Sequence, residues 1–96
     1  MNLPHVTYTA QEIFDREQGI CSICNLQVDP DNYHLDHVVP LSVPGDVMLS
    51  FRIYAHPGDV PWNVTIAHPA CNTSKGHRMT STHAAKYYEL RKMYGV

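Results

Sequence analysis

Cys21-Ser22-Ile23-Cys24 and His68-Pro69-Ala70-Cys71 are two short segments of the same form, each with two metal-binding residue types separated by two others. Structural zinc sites are commonly assembled from two such close pairs of Cys and His ligands. A long stretch of chain separates the pairs, so one ion held by all four side chains would join two distant segments. We therefore predict a structural zinc site, which would add stability to so small a domain.

Two other interpretations of the cysteines remain open. Cys21 and Cys24 could be a redox pair, although a second pair with ligand spacing disfavours this. A finger of two Cys and two His would instead use Cys21, Cys24, His34 and His37. Its spacings are shorter than usual, and it would leave the second pair without a role. Three cysteines are an odd number, so a closed disulfide framework is not expected.

The composition indicates one globular domain spanning residues 1–96. The chain is 44% hydrophobic and 17% charged, which is typical of a folded domain. It contains no apolar run of the roughly 18–20 residues needed to span a bilayer. Residues Met1–His5 lack the charged start and apolar stretch of a secretory signal. We therefore expect a cytoplasmic protein with reduced cysteines and no membrane partner.

The net charge of −2 argues against a strong, indiscriminate nucleic-acid binder. The charges are unevenly distributed, because acids predominate early in the chain and bases predominate after Cys71. These bases are Lys75, Arg78, Lys86, Arg91 and Lys92. One end of the molecule could face phosphates, and a solvated basic helix explains the pattern equally well.

Local signals predict the secondary structure of the first half. Thr9 and Glu12 have the spacing of a helix N-cap and its third residue, and we expect this helix to run to Gln18 and end at Gly19. After the Cys21–Cys24 turn, the polar residues 29–32 predict a second turn. The flanking segments Leu26–Val28 and Tyr33–Val39 are predicted to be the arms of a hairpin.

The second half contains an inserted segment over about residues 43–62. Within it, Val47–Tyr54 is apolar and β-prone, which predicts a strand or hairpin. Asn63–Ala67 is predicted to be extended, and Pro69 suits the first turn of a short helix. A final helix is predicted over about residues 81–94, with a packing face of Ala84, Tyr87, Tyr88, Leu90 and Tyr94.

The segment His34-Leu35-Asp36-His37-Val38-Val39-Pro40-Leu41 has residue types suited to phosphodiester hydrolysis. Asp36 offers a hard oxygen ligand for Mg²⁺ or Mn²⁺. His37 can accept a proton from water near neutral pH. His34 shares a strand face with Asp36 and could support a metal site, although a structural role is as well supported.

These motifs, in this order, resemble those of the HNH endonuclease family. The resemblance covers about residues 18–78 and comprises the Cys21/Cys24 pair, Asp36-His37-x-x-Pro40-Leu41, Asn63 and the run from His68 to Gly76. It implies an α+β fold of the zinc-stabilised ββα-metal kind, a hairpin followed by a helix, here flanked by N- and C-terminal helices. It also implies a stand-alone protein like those of phages, and restriction and mobile-element nucleases of this kind are alternatives that the sequence leaves open.

The resemblance further implies a role for each matched residue. Asp36 and Asn72 would hold the catalytic Mg²⁺ or Mn²⁺, His37 would be the general base that activates water, and Asn63 would fix the loop bearing His37 through backbone contacts. Cys21, Cys24, His68 and Cys71 would hold structural zinc. Lys75, His77 and Arg78 are expected to contact nucleic acid, although His77 and Arg78 have a nearly equal interpretation as ordinary solvated residues.

The sequence departs from the family in three places. His68 replaces the Cys of many relatives, Asn72 replaces the final His to give an HNN variant, and residues 43–62 replace a short connection. The expected partner is DNA, with sequence recognition that is either loose or supplied by a homodimer or by a partner such as phage packaging machinery. The alternatives to a nuclease are a zinc-stabilised DNA-binding module and a protein adaptor, both without catalysis.

Overall fold

A computed structural model of the chain describes residues 3–96. Met1 and Asn2, on which part of the expectation about a secretory signal rests, lie outside the described residues. The elements in chain order are α1 (Ala10–Arg16), β1 (His34–His37), α2 (Gly45–Ser50), a 3₁₀ turn (Pro61–Asn63), β2 (Val64–Ala67), α3 (Pro69–Lys75) and α4 (Ser81–Tyr94). The predicted α+β class is confirmed. No helix within residues 3–96 is long and apolar enough to cross a membrane.

The sheet has two antiparallel strands, with His34 opposite Ala67 and His37 opposite Val64. The predicted hairpin is therefore wrong, because β1 pairs with β2 and not with residues 26–28. That earlier segment instead folds back on the chain before the cysteine turn, where Leu26 O accepts from Cys21 N at 2.9 Å. The fully buried Val64–Ala67 strand gives β1 a more apolar partner than residues 26–28 would.

Local capping sets the ends of the helices. Thr9 Oγ1 accepts a hydrogen bond from Glu12 N at 3.1 Å, which confirms the predicted N-cap of α1. The helix ends at Arg16 rather than at Gln18, because Gln18 and Gly19 both have positive φ, 57° and 66°. The predicted starts of α3 at Pro69 and of α4 at Ser81 are confirmed.

The inserted segment contains a helix where a strand was predicted. Its apolar residues Val43, Val47, Met48 and Phe51 all pack against one core cluster. Val47 and Met48 lie in α2, Phe51 is its C-cap residue, and Val43 comes just before the N-cap Pro44. Val47, Met48 and Phe51 have the spacing of one helix face. Tertiary packing therefore overrides the β propensity of these side chains.

The apolar side chains form two clusters, and β1 extends from one to the other. The first cluster comprises Val38, Val39, Ile53, Met79, Ala84, Tyr87 and Leu90. The second comprises Ile13, Cys21, Val28, Val64, Ile66 and Ala67. Leu35 packs against the second cluster, and Val38 begins the first. Asp36 and His37 are thus fixed between two packed regions.

Candidate functional site

The four predicted zinc ligands come together at one place. The ligand atoms of Cys21, Cys24, His68 and Cys71 all lie within 4.8 Å of one another. The cysteines are free thiols, and Cys24 Sγ lies 3.2 Å from His68 Nδ1. Ligands of a tetrahedral zinc ion stand roughly 3.5–3.8 Å apart, given metal–ligand distances of about 2.0–2.3 Å. This cluster could hold a metal ion.

The surroundings of the cluster favour a bound cation. Burial works to raise the pKa of the Cys21 thiol, but hydrogen bonds from the backbone at Cys24, His68 and Ile23 lower it to about 6. Burial, together with the hydrogen bonds and charges of Cys24 and Cys21, raises the pKa of Cys71 to about 11. One thiolate therefore disfavours the next, and a metal ion would remove that conflict.

His68 is oriented by a contact outside the cluster. Its Nε2–H donates to Gln27 O at 2.8 Å, so the lone pair of Nδ1 faces the sulfur atoms. The hydrogen bond to Cys21 and that to Gln27 raise the pKa of His68. A backbone acceptor on the outer ring nitrogen is the usual companion of a metal-ligating histidine.

A separate open cleft of about 390 Å³ lies between the end of β1 and α3. Its lining includes Asp36, His37, Asn72 and His77. The structure thus brings four of the predicted site residues to one cleft, three of which are implied by the family resemblance to act on the phosphodiester.

Asp36 is buried and pairs with Lys75. Lys75 Nζ donates to Asp36 Oδ1 and to the backbone oxygen of His37, both at 2.9 Å. The side chains of Lys75 and Asp36 are only 3% and 5% exposed. Lys75 was predicted to contact phosphate; its ammonium group instead faces inward, because a buried carboxylate needs a partner.

The other carboxylate oxygen of Asp36, Oδ2, is unpaired within the described part of the chain. It is buried and has no hydrogen-bond partner among residues 3–96. Buried polar atoms are nearly always paired, so such an atom requires an explanation. A cation or an ordered water in the cleft would supply one.

His37 has a partner that the sequence analysis missed. Its Nε2 lies 2.9 Å from Asp59 Oδ1, and the same carboxylate accepts from Tyr8 Oη and lies 3.2 Å from His5 Nδ1. Asp59 is in the inserted segment, and it is the only acid between Asp46 and Glu89. That isolation was the one available signal, and it gives no indication of which residue Asp59 contacts.

Asn63 is fully buried and makes the backbone contacts expected of it. Its Oδ1 accepts from Val39 N at 2.8 Å, and its Nδ2 donates to Val39 O at 3.1 Å and to Gly58 O at 3.0 Å. Asn63 therefore holds together the chain that follows His37 and the chain that precedes Asp59, and its side chain does not line the cleft.

The remaining predicted residues lie on α3 and just after it. Asn72 Nδ2 donates to His34 Nδ1 at 3.1 Å, which leaves the amide oxygen without a protein partner among residues 3–96. His77 is exposed beside Ser42. Arg78 donates to Lys75 O and Ser74 O, so it caps the end of α3 and is outside the cleft lining.

No protein-family model, curated protein or solved structure significantly matches this chain.

Proposed function

We propose that the protein is a metal-dependent DNA endonuclease of the HNH type, with an HNN set of site residues and one nuclease domain. The observation that carries the proposal is that Asp36, His37 and Asn72 line one cleft, on a strand and a helix, beside a separate Cys and His cluster. The β1–β2 pair followed directly by α3 supports a ββα-metal arrangement.

The cluster of Cys21, Cys24, His68 and Cys71 is proposed to hold structural zinc. Three sulfurs and one imidazole suit zinc better than harder cations. All four positions are filled by protein side chains, as in closed structural sites. Its role would be to join the Cys21–Cys24 turn to the start of α3.

The cleft is proposed to hold Mg²⁺ or Mn²⁺ through Asp36 and Asn72. The donor chemistry fits, because neither the buried Asp36 Oδ2 nor the amide oxygen of Asn72 has a hydrogen-bond partner within the described residues 3–96. Such a cation stabilises negative charge on the phosphate and on the leaving oxygen.

His37 is proposed to accept the proton of the attacking water. Its side chain is 29% exposed and lines the cleft, so water can reach it. Its Nε2 is engaged by Asp59, and Nδ1 has no hydrogen-bond partner among residues 3–96. A general base needs a free lone pair within hydrogen-bond reach of the water.

The proposal is tested by incubating supercoiled plasmid with the protein and Mg²⁺ or Mn²⁺. The wild type should nick the plasmid, and His37→Ala should reduce the rate by about 10²-fold or more. Asp36→Asn should also reduce it. Asp46→Asn is the matched control for Asp36→Asn, since Asp46 does not line the cleft. A His37→Ala protein that cleaves as fast as the wild type would overturn the mechanism.

A zinc-stabilised DNA-binding module without catalysis is the second candidate. The ion pair with Lys75 favours it, because it partly satisfies Asp36 without a catalytic cation. DNA binding in a mobility-shift assay without cleavage in either metal would support this candidate. If the protein neither binds nor cleaves DNA, the protein adaptor is the remaining alternative.

A further inference from the structure

We propose that Asp59 is a positioning residue for His37, holding the imidazole so that Nε2 carries its proton and Nδ1 faces the cleft. This inference deepens the proposed function and rests on it for its catalytic meaning. His37 Nε2 lies 2.9 Å from Asp59 Oδ1, within hydrogen-bond distance.

The N-terminal segment, residues 4–8, fixes Asp59 from one side. Asp59 N donates to Pro4 O at 2.9 Å, and Val6 N donates to Asp59 O at 3.2 Å. Tyr8 Oη donates to the carboxylate, and His5 lies against its other oxygen. The carboxylate is thus held both through its backbone and through both of its oxygens.

Gly58 makes this close approach possible. Its φ is +78°, and a Cβ there would lie 2.2 Å from Pro4 O. Only glycine has no side chain to clash at this point, so the residue next to Asp59 is fitted to the N-terminal segment.

The chain that follows His37 is tied to the same loop. Asn63 Nδ2 donates both to Val39 O and to Gly58 O. His56 Nε2 donates to Pro40 O at 2.9 Å, and Gly58 N donates to His56 Nδ1 at 2.8 Å. The loop with Asp59 and the segment after His37 therefore keep a fixed spacing, which an incidental surface contact would not require.

The chemistry of a carboxylate then selects the tautomer. The hydrogen bond from Tyr8 is the main cause that lowers the pKa of Asp59. The hydrogen bond from His37 and the positive charges of His37 and His5 lower this pKa further. An ionised carboxylate only accepts hydrogen bonds. Nε2 must therefore donate, and in neutral His37 the lone pair is on Nδ1.

The direct test is ¹⁵N NMR of the His37 ring in the full-length protein. The wild type should show the Nε2–H tautomer, and Asp59→Ala should shift the ring nitrogens toward a mixture of tautomers. Tyr8→Phe keeps the aromatic ring and removes one hydrogen bond, so it should give a smaller shift in a folded protein. Asp46→Ala is the control. A wild-type Nδ1–H tautomer, or an unchanged ring in Asp59→Ala, would overturn the inference.

Cleavage kinetics give the second readout. Asp59→Ala should lower kcat about tenfold or more, short of the full effect of His37→Ala, with KM nearly unchanged. If the wild type cleaves DNA and Asp59→Ala has the same kcat, Asp59 does not position His37. The endonuclease proposal would then still stand. If the wild type does not cleave, the proposed function fails, and the ring tautomers still decide whether Asp59 orients His37.

Discussion

Asn63 fixes the candidate site without lining it. Its side chain is fully buried and makes three hydrogen bonds to backbone groups on two different segments. Those segments are the one that follows His37 and the one that precedes Asp59. An asparagine is well suited here, because one amide offers an acceptor for an N–H and two donors for carbonyls.

We predict that Asn63→Ala lowers the free energy of unfolding by about 2–4 kcal/mol, because it leaves buried backbone groups of Val39 and Gly58 unpaired. Chemical denaturation in buffer that contains zinc measures this. Asn32→Ala, at an exposed turn, is the control and should stay within about 0.5 kcal/mol of the wild type. Equal stability of the two variants would show that these bonds contribute little.

The candidate site was predictable wherever its chemistry is local. The spacing within each pair indicates the four metal-ligand candidates, Cys21, Cys24, His68 and Cys71. The adjacent His37 indicates Asp36 as a site residue. The contacts of Asp59 with His37 and of Lys75 with Asp36 were not predictable. They join residues far apart in sequence, and no short-range pattern specifies which carboxylate meets which base.

At the scale of elements, capping and proline signals correctly predicted the helix starts, whereas the predicted strand pairing was wrong. Thr9 and Pro69 mark helix starts through interactions within one turn. The partner of β1 depends instead on which apolar segment it meets after the chain folds. For Val47–Tyr54 the helical spacing was present in the sequence, but the β-branched and aromatic residues obscured it.

The end of α1 is joined to β2 and α4 by Glu17. Its carboxylate is 6% exposed, accepts from Thr65 Oγ1 at 2.6 Å and pairs with Lys86 Nζ at 2.8 Å. Burial acts to raise the pKa of Glu17, but the hydrogen bonds from Lys86 and Thr65 and the charges of Lys86 and Arg16 hold it below its ordinary value.

We predict that Glu17→Gln destabilises the protein by about 1–3 kcal/mol at neutral pH, since it removes the buried charge that pairs with Lys86 and Arg16. Because the folded-state pKa is lowered, the contribution of the charge is complete above the unfolded pKa of about 4.3 and is lost as the pH falls through the folded value. The difference between wild type and variant should therefore shrink below about pH 4.3. Thermal unfolding from pH 3 to 7 measures it, and comparing variants cancels any loss of metal in acid.

Glu89→Gln is the matched control for this series. Glu89 is 63% exposed and its carboxylate lies 3.9 Å from the same Lys86. A contact of that kind should contribute less than about 0.5 kcal/mol. A wild-type advantage over Glu17→Gln that does not change with pH would show that packing, rather than charge, is the source.

At the scale of the whole molecule, the metal-ligand cluster belongs to one of the two core clusters. Cys21 is part of the second cluster and Cys71 packs against it. Ser22 N donates to Ile66 O at 3.0 Å, which joins the cysteine turn to β2. The first cluster, between α4 and residues 38–39, has no such ligand among its members. Loss of a metal should therefore loosen the second cluster before the first.

We predict one zinc ion per chain and a loss of about 4 kcal/mol or more of stability on chelation, which corresponds to free zinc at about 1,000 times its Kd. Cys71→Ser should lose the ion, and His68→Cys should keep it, because zinc accepts four thiolates as readily as three thiolates and an imidazole. His77→Ala, outside the cluster, is the control.

After chelation, amide exchange should accelerate first at Ser22 and along β2, and later at Leu90 in α4. Because β1 pairs with β2 and carries Asp36 and His37, the cleft should lose its shape in the same early step. Uniform acceleration across both clusters, or a metal-free protein with an unchanged melting temperature, would show that the four ligands do not hold the fold together.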